Sequence, residues 1–257
     1  MVSSDLNLRS QNNLCVLTED APGGVLHEKA QDLAKFLSCP LNPAETKSFF
    51  FHLHVDLQGL WVRDHEKRKL KIDFDENHLD YERRGHHGKN ELLAKALGVS
   101  KGCRAVLDLS VGLAVDSVFM TQLGFSVQGV ERSPLLYVLL REAFARTQKE
   151  YLKNYQLHFA DSLDFLKTQK EQCQVDAIYF DPMYPHKKKS ALPKQEMVLF
   201  RELVGSDNDA SEVLREALTW PVRRVVVKRP LHAEELLPGV RHAYEGKVVR
   251  YDTYVVG

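Results

Sequence analysis

The sequence predicts an α/β protein: a mostly parallel sheet covered by helices, ending in an antiparallel hairpin and preceded by a small α+β appendage. Three observations carry this. From Arg104 onward, short apolar runs alternate with stretches of helical spacing, as successive βα units do. The last two apolar runs, 240–244 and 247–256, are separated only by Glu245 and Gly246, which read as a hairpin turn. Before residue 80 the pattern differs, with one helix followed by β-rich runs joined by tight turns.

Residues 14–20 read as a strand, followed by the turn Ala21-Pro-Gly-Gly24. Leu26, Ala30, Leu33, Ala34 and Leu37 then fall on one helical face, and Pro40 and Pro43 end that helix. Strands are expected over 49–57, 60–63 and 70–74. His52 and His54 share one strand face; without a third ligand they are expected to be structural and not to bind metal. The segment 81–90 is polar, basic and punctuated by glycine, so it is a loop, either plainly solvated or in contact with phosphates. A helix over 91–97 stops at Gly98. Parallel strands follow at 104–109, 125–130, 156–160, 175–180 and 224–227. Helices lie at 116–123, 134–146, from Leu163, at 197–203 and at 210–218. Pro134 suits a first helical turn. The division expected is an appendage over 1–80 and a catalytic domain over 81–257.

The composition is that of an ordinary globular chain, with 44% hydrophobic and 27% charged residues among 257. Basic and acidic side chains balance at 35 each, so a nucleic-acid partner must be met by a local basic patch and not by a global field. Cys15, Cys39, Cys103 and Cys173 form no Cys-x-x-Cys pair, which argues against a disulfide framework or a metal site. The start of the chain lacks the apolar core of a secretory leader, and no stretch is apolar enough to span a bilayer. A cytoplasmic protein with no membrane partner is expected.

The chemistry concentrates in Tyr179-Phe-Asp-Pro-Met-Tyr-Pro-His186. Asp181 can accept hydrogen bonds from an amine at a strand's carboxyl end. Pro182 adds a carbonyl with no competing N–H, and Tyr184 offers a face on which a base can stack. Asp-Pro is also a common turn opener, so the neighbouring strand ends matter. Strand one ends in Asp108, and its turn runs through Gly112 to Val115 and Asp116. Strand two ends in Glu131-Arg132, where a carboxylate about 20 residues past a glycine turn is placed to hold a ribose hydroxyl. Strand three ends in Asp161-Ser162, able to accept from an adenine amine. Gly-x-Gly-x-x-Gly is absent, which disfavours a pyrophosphate-bearing dinucleotide. The carboxylates suit ribose, adenine and a sulfonium, namely S-adenosylmethionine.

The run 106–230 resembles the RsmJ family of bacterial methyltransferases. The resemblance rests on Tyr179-Phe-Asp-Pro-Met-Tyr-Pro-His-Lys-Lys-Lys-Ser-Ala-Leu192, on Arg224-Val-Val-Val-Lys-Arg-Pro230 and on Glu131-Arg132. It implies the class I methyltransferase fold, with methyl transfer from S-adenosylmethionine to the N2 amine of a guanine in 16S ribosomal RNA. S-adenosylhomocysteine would be the product, and naked 16S rRNA or the small subunit the partner. It also implies cofactor contacts at Val115-Asp116, Glu131-Arg132, Asp161-Ser162 and Asp181. The family's turn usually reads Asp-Ala-Thr-Ala-Gly-Leu-Gly-Arg-Asp; here Ala114 stands at the second glycine and Val115 at the arginine. An alanine resists the positive φ that a glycine accepts. His186, Lys187, Lys188 and Lys189, with Lys228 and Arg229 on the same rim, are expected to meet phosphates. The alternatives are methylation of an adenine or cytosine amine of DNA, and a nonenzymatic RNA-binding assembly factor.

Overall fold

The computed structural model describes residues 13–75, 91–183, 195–204 and 207–256. Tyr184, His186, Lys187, Lys188, Lys189 and the loop 81–90 lie outside them. The chain resolves into two compact units.

The first unit comprises Met1–Asp73, Ser133–Arg146 and His186–Gly205. Its sheet has strands β1 (Leu14–Leu17), β2 (Phe51–Asp56), β3 (Gly59–Asp64) and β4 (Lys69–Leu70), in that order. β1 and β2 are parallel; the other pairs are antiparallel. Helix α1 (Val25–Phe36) buries Ala30, Leu33 and Ala34. Asp20 accepts the Leu26 and His27 amides at the start of α1. Its carboxylate would lie 2.3 Å from any Cβ at position 24, so a side chain there would have to displace the Asp20 cap. His54 stacks flat on Trp61 across the β2–β3 pair, with ring centroids 3.7 Å apart. Burial and the Arg63 charge lower the His54 pKa to about 4.

Several strands are shorter than the sequence suggests, and for two of them the cause is visible. β1 stops at Leu17 because the Thr18 amide turns to the Asn42 side chain at 2.9 Å. Of the run 70–74, only Leu70 pairs with β3; the Ile72 carbonyl accepts instead from the Arg146 guanidinium. That guanidinium also pairs with Asp73 at 3.0 Å. Arg146 closes helix α4 (Pro134–Arg146), which the sequence reading grouped with the parallel sheet but which falls in this unit. Lys29 of α1 reaches Glu142 of α4 at 2.7 Å. The later helix α6 (Gln195–Val204) also belongs here, tied through Glu202 to Arg68 at 2.5 Å.

The second unit is built on a seven-stranded sheet. Its strands are β5 (Ala105–Asp108), β6 (Ser126–Glu131), β7 (Gln156–Phe159), β8 (Ala177–Phe180), β9 (Arg224–Pro230), β10 (His242–Glu245) and β11 (Val249–Val255). The spatial order is β10-β11-β9-β8-β5-β6-β7. β5 to β9 are parallel, and β11 joins antiparallel to both β9 and β10, giving the expected terminal hairpin.

Both faces of the central parallel strands are buried, and residues alternate between them, whereas the edge strand β7 is partly exposed. Leu107, Ile178, Phe180, Val225 and Val227 pack with α5 (Ser162–Gln169), α7 (Ala210–Ala217) and the fully buried Trp220. Val106, Ala177, Tyr179 and Val226 pack on the other face with α2 (Leu92–Leu97) and α3 (Val115–Gln122). The four cysteines are free, and only Cys39 is more than slightly exposed. Burial pushes the Cys15 and Cys39 thiols up to about 11.

Candidate active site

From β5 the sheet grows one way through β6 and β7, then the other way through β8 and β9. The reversal between β5 and β8 opens a crevice beyond the strands' carboxyl ends, where ligands bind in such sheets.

β5 ends at Asp108, which is 1% exposed. One of its oxygens accepts the Ser110 amide at 3.0 Å and the other the Ser117 hydroxyl at 2.5 Å. The same hydroxyl meets the Tyr155 hydroxyl at 2.8 Å. Burial pushes the Asp108 carboxyl up to about 7. Its oxygens are therefore spent on holding the turn. Gly112, at φ +55°, donates its amide to Glu131 at 3.0 Å, which orients the carboxylate ending β6. Ala114 does adopt the left-handed conformation, φ 58° and ψ 19°, immediately before α3. Val115 and Asp116 follow as the half-buried first residues of that helix.

Beyond β7, Asp161 caps α5 by accepting the Leu163 and Asp164 amides. Ser162 is turned inward, donating to the Leu109 carbonyl at 2.6 Å. Arg132 is surrounded by carboxylates: it bonds Asp207, meets Asp209 at 3.2 Å and approaches Asp161 at 3.9 Å. Asp207 also accepts the Met183 amide at 2.7 Å, fixing the chain just past Asp181-Pro182.

Asp181 follows Phe180 and lies on the Tyr179 face of the sheet, because side chains alternate along β8. Its amide donates to Ser110 Oγ at 2.7 Å. Lys228 stands one residue beyond Val227, which pairs with Phe180, so the two side chains share that face. Lys228 Nζ donates to Asp181 Oδ2 at 2.9 Å and to Asp116 Oδ2 at 2.7 Å. Asp116 Oδ2 also accepts the Tyr179 hydroxyl at 2.6 Å. The paired carboxylates hold the Lys228 ammonium well above the usual lysine range. Burial, opposed by Lys228 and reinforced by Asp116, raises the Asp181 carboxyl to about 6. No donor meets its Oδ1 among the described residues. Pro182 is buried.

The sequence placed Lys228 on a phosphate-binding rim; the structure turns it inward, onto two carboxylates. Arg229 is 6% exposed and donates to the Glu234 carbonyl, which leaves it little reach to a phosphate. Ser110, Tyr179 and Asp207 carry no role that the sequence alone assigns. Tyr179 and Ser110 flank recognised residues, but nothing local marks Asp207, 26 positions past Asp181. Among the described residues, no three His, Cys, Asp or Glu side chains are placed to hold a metal ion, and no helix is long and apolar enough to cross a membrane.

Residues 37–256 match a family described as "Putative SAM-dependent methyltransferase". The chain is 73% identical over 232 residues to ribosomal RNA small subunit methyltransferase J of Bdellovibrio bacteriovorus, covering 90% of this chain and 92% of that one. It belongs to the RsmJ family of S-adenosylmethionine-dependent methyltransferases. A relative of the same name from Pseudomonas fluorescens is 36% identical, with 93% of this chain and 95% of that one covered. A crystal structure of a SAM-dependent methyltransferase from Neisseria gonorrhoeae superposes with TM-score 0.71 at 26% identity, covering 94% of this chain and 95% of that one. The fold is thus the class I methyltransferase fold.

S-adenosylmethionine is the cofactor of this RsmJ-family chain, and the crevice fits it chemically. The crevice presents acceptors, Glu131 and Asp181 at strand ends and Asp116 in the first turn of α3, for a molecule whose hydroxyls and amine donate and whose sulfur is cationic.

Proposed function

We propose that this chain methylates the exocyclic N2 of a guanine in 16S ribosomal RNA, with Asp181 and the Pro182 carbonyl accepting the two N–H bonds of that amine. The names borne by its relatives supply the RNA class. The observation that carries the chemistry is the setting of Asp181: held at its amide by Ser110 and at Oδ2 by the Lys228 ammonium, with Oδ1 turned to no other described donor.

Asp116, Glu131, Arg132, Asp161 and Ser162 would hold the cofactor about the crevice, where it would supply an electrophilic methyl group. A guanine N2 lone pair is delocalised into the ring, so the chain's task is to localise it and fix its direction. Two acceptors on the same nitrogen, the Asp181 oxygen and the Pro182 carbonyl, favour a more pyramidal amine and orient its lone pair, and such positioning supplies much of the rate enhancement. As the nitrogen gains the methyl it becomes strongly acidic, and Asp181 is placed to take the departing proton. Tyr184 stacks on a base presented from unpaired or flipped-out RNA, and His186, Lys187, Lys188 and Lys189 meet phosphates.

The test is methylation of 16S rRNA from cells lacking the gene, with the modified base identified by mass spectrometry. Asp181→Ala is expected to lower turnover about 10²–10⁴-fold with the fold intact. Near-normal turnover by this variant refutes the catalytic assignment. Label appearing in an adenine or cytosine of DNA and not in guanine refutes the acceptor.

A further inference from the structure

Resting on Asp181 as the amine acceptor, we propose that Lys228 is a positioning residue for methyl transfer: its ammonium pins one carboxylate oxygen of Asp181 and so presents the other to the acceptor amine.

The parallel register brings the two side chains together. Phe180 pairs with Val227, and the next residue of each strand turns to the face that carries Tyr179 and Val226. A lysine serving a phosphate would extend into solvent, whereas Lys228 is only 23% exposed at its side chain and directs its ammonium into the crevice. Two of its three donors are spent, one on Asp116 and one on Asp181. Asp116 already accepts the Tyr179 hydroxyl, so it has a partner without the lysine. Asp181 has no other side-chain donor among the described residues. Rotation of its carboxylate is opposed at one oxygen by Lys228, and its backbone is fixed by Ser110 and by the proline that follows.

The charges facing Asp181 sharpen the argument. Asp108 lies at the end of β5, Asp116 at the start of α3 and Asp207 before α7, while the neutral Tyr179 hydroxyl approaches from β8. Of these carboxylates, Asp116 and Asp207 raise the cost of a negative charge on Asp181. Lys228 is the cation in contact with Asp181 among the described residues. Without it, the carboxylate both rotates and takes up a proton at higher pH.

The experiment uses the full chain, S-adenosylmethionine and 16S rRNA from a strain lacking the gene, and measures turnover and RNA KM from pH 5 to 9. Lys228→Met is expected to lower kcat about 10–100-fold and move the acid limb of kcat up by at least one pH unit. RNA KM and its salt dependence are expected to stay unchanged, and Lys228→Arg to recover most of kcat. Lys228→Gln, which keeps a donor without the charge, should retain the displaced limb, and serves if the methionine variant melts poorly. A raised RNA KM with an unmoved limb makes Lys228 a phosphate contact and overturns the proposal, as does an unchanged kcat. Asp181→Asn separates the two levels. If it is inactive while Lys228→Met leaves the limb in place, only the role of Lys228 fails. If it turns over normally, the reading of Asp181 fails with it.

Discussion

Asp108 and Asp181 end neighbouring parallel strands and look equivalent as carboxylates at strand termini, yet their surroundings assign them opposite work. Asp108 has both oxygens engaged by Ser110 and Ser117, while Asp181 keeps one for a ligand. Both aspartates stand out in the sequence; the serines that divide their roles do not, because a hydroxyl's partner depends on how a turn closes. Asp108 has a measurable consequence. Its folded-state pKa, raised by burial to about 7, lies above the ordinary aspartate value, so between about pH 4 and 7 the folded chain holds a proton that the unfolded chain has released. Its contribution is complete below that window and is lost as pH rises through about 7, at no more than about 1.4 kcal/mol per pH unit. Asp108→Asn should therefore gain stability relative to the parent from pH 4 to 7 and plateau above, as read by urea unfolding across pH. A difference independent of pH would show that the buried carboxyl stays ionised.

At the scale of elements, the β5–α3 turn shows what can and cannot be read in advance. The sequence exposed an alanine where the family has a glycine, and the structure gives Ala114 the left-handed conformation that glycine would adopt at less cost. A non-glycine residue there stores about 1–2 kcal/mol. Ala114→Gly relieves that strain but forfeits a buried methyl, worth about 0.8 kcal/mol, and adds freedom to the unfolded chain. Its net effect should stay within about 1 kcal/mol. Ala114→Val adds β-branching to the same φ in a fully buried position and should cost about 2–4 kcal/mol. Denaturant midpoints at constant m-value check both. The strands themselves were legible because parallel strands buried on both faces form continuous apolar runs. Their register was not, and register is what joins Asp181 to Lys228. The run 70–74 misled because its apolar Leu70, Ile72 and Phe74 alternate as a strand does, while Arg146, far along the chain, takes the Ile72 carbonyl.

For the whole molecule, zero net charge makes RNA affinity depend on local basic groups. With Lys228 and Arg229 engaged internally, Lys187, Lys188 and Lys189 carry more of the expected phosphate contact. Neutralising these three lysines should reduce the slope of log K against log salt by about 2, at roughly 0.7 per single-strand contact. Filter binding at a series of salt concentrations measures it, and an unchanged slope would return the run to plain solvation. The order of elements along the chain was readable, but their grouping was not: periodicity identifies α4 as a helix without saying which unit buries Leu136, Leu139 and Leu140.

That grouping bears on how such a gene can change. Along the sequence, segments of the first unit alternate with segments of the second, the first unit taking Ser133–Arg146 and His186–Gly205 besides the N-terminal stretch. Deleting the first 80 codons would leave α4 and α6 stripped of their partners, with the Lys29–Glu142 and Arg68–Glu202 ion pairs lost. Removing the N-terminal stretch is therefore expected to destabilise α4 and α6 along with it.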